Sequence, residues 1–258
     1  MECFDYVASR NNEGVSLLLA GEDQAAVGSW TAALATAKDQ LFRVQRSPTP
    51  EPIVDKTSLS GSPISTATCV YATSSNPSPP SLLEIPENAT TGTGSLISAS
   101  FSPIPNLHSN EFFIANHAIS LSPLSAPPRA EAAAPVYMAS VILNLALAYH
   151  RQGRVGGRRN CVQKAEKMYD MVIKLINDAT MRDVGTALVV KAIALNNVSL
   201  IRYERGEHDH AREGLDYLSF LLQSDKITCR RHFDERTLNG ILLNIFLLMN
   251  TSNIAPAA

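Results

Sequence analysis

The chain has 258 residues, 45% of them hydrophobic and 18% charged, with 22 Lys and Arg against 24 Asp and Glu for a formal net charge of −2. Charges of both signs are interspersed, which argues against a global field toward nucleic acid or an anionic membrane. No stretch approaches the roughly 18 unbroken apolar residues of a membrane span, and the acidic start Met1-Glu-Cys-Phe-Asp-Tyr lacks the basic region and apolar run of a secretory signal.

Residues 1–46 read as a helical hairpin. Phe4, Val7, Val15, Leu18 and Leu19 fall at helical spacing up to Ala20-Gly21-Glu22, where Gly21 suits a helix C-terminus. A second helix carries Ala25, Ala26, Trp30, Ala33, Leu34, Ala37 and Leu41 on one face and ends before Ser47-Pro48, because proline disfavours helix in the residue before it.

Residues 47–131 are rich in Ser, Thr and Pro and poor in charge, so the expectation is a disordered linker that buries too little apolar surface to offset the entropy of ordering. Its Ser-Pro pairs at Ser47, Ser62, Ser78, Ser102 and Ser122, with Thr49-Pro50, suit proline-directed kinases, though composition alone also produces such pairs. One part alternates: Phe113, Ala115, His117, Ile119 and Leu121 share a face in a short extended segment at 111–121, with a neighbouring strand as an option.

Residues 132–251 hold two further hairpins and a capping helix, and residues 252–258 form a tail. The third helix is expected to start after Pro135 and to run through Val136, Ile142, Leu145, Ala146 and Tyr149 toward Gly153. Val162, Ala165, Met168, Tyr169, Val172, Ile173 and Ile176 make the fourth, Ala187 to Ile201 the fifth, and Ala211, Leu215, Leu218 and Leu222 the sixth. Leu238, Ile241, Leu242, Ile245, Leu248 and Met249 mark the last. The fold class is thus all-α, stacked antiparallel hairpins interrupted by a long insertion.

A pattern recurs along these helices. Asn12, Gly14, Gly21 and Ala26 match Asn197, Ser199, Gly206 and Ala211 at identical spacing, and Asn144, Ala146, Gly153 and Ala165 repeat it with an insert after the glycine. Around these residues, with Leu17 and Trp30 in the first copy and Leu145 and Tyr169 in the second, the chain resembles the tetratricopeptide repeat family in about three degenerate copies plus a capping helix. The resemblance implies an α-solenoid fragment whose hairpins touch through small residues. It further implies a concave groove that holds a peptide or protein segment.

The column of Asn12, Asn144 and Asn197, matched in the last helix by Asn244, tends in that family to face the groove. An amide both donates and accepts and so suits a peptide backbone of any sequence. The alternative is that these amides satisfy neighbouring turns of the stack. The resemblance places Asn11, Leu147, Lys191, Asn196, Leu200 and Tyr203 on the same surface. The cationic clamp with which some relatives grip a C-terminal carboxylate is missing, since Asn11, Val15, Ile193 and Asn197 stand in its places.

Other constellations are weaker. Arg154-Val-Gly-Gly-Arg-Arg with Lys164 and Lys167 has cations and open amides for a phosphate but lacks the order of a nucleotide loop. His208 and His210 flank Asp209 without further metal ligands in view. Cys3, Cys69, Cys161 and Cys229 form no C-x-x-C pair and read as ordinary thiols. No nucleophile with an adjacent base stands out. The sequence therefore points to a non-catalytic interaction or scaffolding module with a protein or peptide partner. No cofactor, metal, small-molecule substrate, nucleic acid or membrane is expected, and the place is intracellular, cytoplasmic by default. A rival reading seats the Phe112–Leu121 segment in the groove and makes the chain a self-sealed structural subunit; a more distant one is an enzyme with an unrecognised site.

Overall fold

The computed structural model describes residues 2–46, 99–103, 112–122, 127–178, 184–224 and 233–251. Among them are seven helices: α1 (Glu2–Leu19), α2 (Asp23–Arg46), α3 (Pro127–Gly156), α4 (Arg159–Asp178), α5 (Val184–Glu204), α6 (His208–Ser224) and α7 (Glu235–Thr251). Two strands, β1 (Ala99–Pro103) and β2 (His117–Leu121), pair antiparallel with Phe101 opposite Ile119. Met1–Gln45 and Ser95–Ala258 form one compact unit, and all that follows concerns it. The second unit, Arg46–Gly94, lies outside the described residues apart from the end of α2, and with it most of the expected disordered linker.

The mostly helical class follows from the apolar periodicity. α4 buries Ala165, Tyr169, Val172 and Ile176, and α6 buries Ala211, Leu215, Leu218 and Leu222, each set at steps of three or four residues. α5 differs, for Ala187 to Ile201 is apolar nearly all round and sits in the middle of the core. α3 packs on α4, α4 on α5, α5 on α6 and α6 on α7, while α1 and α3 both flank β2.

Small residues set the helix spacing inside each hairpin. A methyl group on Gly14 would lie 2.6 Å from the Trp30 indole, Gly153 is covered by Val162, and Gly214 is covered by Ser199. Ala26, Ala165 and Ala211 are all buried. The turns also repeat. After α1 the N–H of Gly21 donates to Leu18 O and that of Glu22 to Leu17 O; after α5 Gly206 and Glu207 donate to Tyr203 O and Arg202 O in the same pattern. Both glycines have positive φ, 88° and 83°, which a side chain resists.

The middle copy departs from the sequence reading here. Its turn glycine is Gly157 (φ 62°), not Gly153, and Arg158 N–H reaches back to Gly153 O. The Arg154-Val-Gly-Gly insert therefore lengthens α3 by about one turn before the chain reverses. A second difference lies at the other end of α3, which starts at Pro127 and carries Pro135 inside it rather than before it. Proline costs one backbone bond there, and the buried run Ala134, Val136 and Tyr137 packs across it. A third lies in the expected linker, where 127–131 are helix; 112–122 is extended, as the alternation at 111–121 predicts, and its 117–121 part pairs with a strand at 99–103.

Candidate functional site

Residues 112–122, here termed the strap, run as extended chain across the first helix of every hairpin and the last helix. Four asparagines hold its backbone, each by donating and accepting on one residue. In α7, Asn244 Oδ1 accepts from Phe113 N–H at 2.9 Å while its Nδ2 donates to Phe113 O at 2.5 Å. In α5, Asn197 does the same to Ala115 at 3.0 and 2.8 Å. In α3, Asn144 takes Ile119 at 2.8 Å both ways, and in α1, Asn12 takes Leu121 at 2.8 Å both ways. The strap thus runs opposite to the order of the helices. The alternating residues 113, 115, 119 and 121 turn their amides to the helices, as a period of two requires.

Two further asparagines tie these clamps together. Asn11 Nδ2 donates to Ile119 O at 2.7 Å, and Asn11 Oδ1 accepts from Asn144 Nδ2 at 2.8 Å. Asn196 repeats the arrangement, donating to Phe113 O at 3.2 Å and accepting from Asn244 Nδ2 at 2.8 Å. The doublets Asn11-Asn12 and Asn196-Asn197 also bond within themselves, at 3.3 and 3.0 Å. Five of the six side chains belong to fully buried residues, and only Asn12 is half-exposed. Buried amides cost free energy unless their hydrogen-bonding capacity is met, and here the strap backbone and the neighbouring amides meet it.

The helices fix these amides from behind. Trp30 Nε1 donates to Asn11 O at 3.1 Å and Ser29 donates to Arg10 O at 2.8 Å, so α2 anchors the turn of α1 that carries Asn11 and Asn12. Asn197 spends its second hydrogen on Tyr169 Oη at 3.3 Å, and that hydroxyl lies 3.2 Å from His150 Nδ1. Burial pushes the Tyr169 phenol up and the His150 imidazole down to about 3, the latter with help from Arg154. His150 is therefore neutral, able to accept the tyrosine proton, in a polar path from strap to hairpin interior.

Side chains seat the strap as well. Phe113 lies over Gly240 of α7, where any Cβ would overlap its ring, and Phe112 meets Tyr203 edge-on with centroids 5.4 Å apart. Ile114, Ala115, Ala118, Ile119 and Leu121 are all buried, so both sides of the strap are covered; the alternating pattern suggested one. His117 is the alternate residue without an amide clamp. Its ring lies 3.4 Å from Asp234, the residue that caps α7 by accepting from Thr237 N–H at 2.9 Å, and burial lowers its pKa. At the strap's end the Tyr137 hydroxyl donates to Ser122 O.

The remaining residues expected on this surface divide. Tyr203 reaches the strap through Phe112, whereas Leu147 and Leu200 are core. Lys191 turns instead to Tyr217 of α6, bonding its hydroxyl with the ammonium 4.5 Å from the ring centroid. His208 and His210 are exposed, and no group of three or more metal-ligating side chains occurs among the described residues. The repeat spacing does not single out Gly240, Arg151 or the Tyr169–His150 pair, which support the strap or the hairpins beneath it. Arg151 joins the first two hairpins by donating to Leu18 O at 2.9 Å and pairing with Asp23.

No helix among the described residues is long and apolar enough to cross a membrane. The chain matches no family model, no curated protein and no solved structure.

Proposed function

We propose that this chain is a non-catalytic interaction module of tetratricopeptide-like build that has sealed its own peptide groove, and that it meets its protein partners through its outer surfaces. The observation that carries this reading is the fourfold amide clamp on Phe113, Ala115, Ile119 and Leu121. Sequence-blind bonding of an extended backbone is what a peptide groove needs. Here a segment of the same chain uses it.

Magnitudes favour a permanent seal over an exchangeable lid. Ile114, Ile119 and Leu121 alone bury side chains worth roughly 1.5–3 kcal/mol each, against a typical total stability of about 5–15 kcal/mol. A tethered strap also competes at an effective concentration on the order of millimolar. Removing it would open the core itself.

The test uses a synthetic peptide of residues 112–122 and a variant in which those residues are replaced by Gly and Ser at equal length. Calorimetric titration of the wild type is expected to show no binding, while the replaced variant loses cooperative unfolding and regains it with added peptide. Wild type that binds the peptide at micromolar concentration would show instead an exchanging groove.

A further inference from the structure

With the groove filled, recognition falls to the outside, and one helix there is chemically distinct. Along the exposed side of α4 and its entry turn lie Arg158, Arg159, Lys164, Lys167, Met171 and Lys174. None of the five cations forms an ion pair among the described residues. Among the described side chains of the same helix, the acids Glu166 and Asp170 are taken by Arg202 of α5 and by Arg205 in the turn after it. Among these described side chains the charges of α4 are sorted: Glu166 and Asp170 face the next hairpin, and the cations face outward. Lys164 lies 5.2 Å from the Tyr149 ring centroid, an attraction that holds the ammonium near the start of the stripe.

We propose that the outer face of α4 is a docking surface for an acidic protein segment. Lys164, Lys167, Met171 and Lys174 follow steps of three and four residues and so form one straight row, about 15 Å from first to last at the helical rise. That length matches three turns of a partner helix or about five extended residues. Met171, half exposed in the row, offers an adaptable apolar contact between the charges.

Nucleic acid fits less well. Tyr149 of α3, the ring beside Lys164, is half-buried and engaged by that ammonium, α4 itself exposes no aromatic to stack a base, and the net charge of −2 leaves no long-range field for a polyanion. The attraction is local, set by uncompensated cations on one helix.

The probe is a fluorescein-labelled 12-residue peptide with glutamates at helical spacing around one leucine, titrated into the full chain and read by anisotropy. Expected is binding that weakens about fivefold between 50 and 200 mM salt, as screening of exposed charges requires. The triple variant Lys164→Glu, Lys167→Glu, Lys174→Glu should bind at least about tenfold more weakly, and the corresponding Gln variant should fall between. Arg212→Glu on α6 serves as the control and should change little. Unchanged thermal unfolding of each variant establishes that the fold is intact. Equal binding by the Glu variant, no binding by the wild type, or tighter retention of a single-stranded oligonucleotide or of phosphatidylserine vesicles would overturn the assignment.

Discussion

Each clamp asparagine presents an acceptor and a donor to one strap residue, a task for which few side chains serve. Asn197→Ala would strand the N–H and C=O of Ala115 in a fully buried site and remove a donor from Tyr169. Leaving such groups unmet costs about 1–3 kcal/mol each, so denaturant unfolding should show a loss of roughly 3 kcal/mol. Asn12→Ala, at the half-exposed end where water can replace the amide, should cost about 1 kcal/mol; equal losses at both positions would contradict the burial argument. The asparagine column was legible because its spacing repeats. Its occupant, the Phe112–Leu121 segment, was legible only as the rival reading, for Asn197 and Ala115 are 82 residues apart and nothing local encodes their pairing.

His150 makes a second prediction at this scale. Its folded-state pKa, lowered to about 3 chiefly by burial, lies below the ordinary value of 6.5, so the unfolded chain takes up a proton that the folded chain refuses. Stability is complete above about pH 6.5 and falls as the pH drops toward 3, by about 1.4 kcal/mol per pH unit below 6. His117, lowered by burial too, adds in the same direction. Unfolding free energies of the wild type and His150→Phe between pH 7 and 4 should diverge in slope, the variant being flatter. Parallel slopes would remove His150 as the acid-sensitive group.

At the level of elements, the seat of the strap depends on a missing side chain. Gly240→Ala would place a methyl group inside the Phe113 ring position, an overpacking fault of about 1–3 kcal/mol. Combined with Phe113→Ala it should cost less than the two single changes added together, since the clash has gone. Strict additivity would mean that the two residues do not meet. The helices themselves were readable from apolar periodicity, and so were the turns at Gly21 and Gly206. The middle turn was misplaced because Gly153 looks like a turn glycine but serves as a helix contact under Val162. A glycine's role depends on what approaches it, and that is a tertiary fact. The strand character of 113–121 was visible, whereas burial of both its sides by helices was not.

For the whole molecule, the linker that composition defines is only partly a linker. Segment 112–122 is part of the core, contributing three large aliphatic side chains and the partners of six amides. A strap held in this way is a structural member, and the surface we propose for recognition is the chain's exterior, the cationic side of α4 above all. The same logic explains why so little of the function could be read locally. The clamp residues lie on four helices and the strap on an extended segment far from most of them in sequence, and the charge sorting of α4 appears only when Arg202 of α5 takes its acids.

Amide hydrogen exchange tests the seal most directly. If the strap is part of the core, the N–H groups of Phe113, Ala115, Ile119 and Leu121 should exchange only through global unfolding, with the same free energy as the amides of α5. Exchange of these four amides at a distinctly lower free energy than α5, with the helices still protected, would show that the strap opens on its own and would contradict the account.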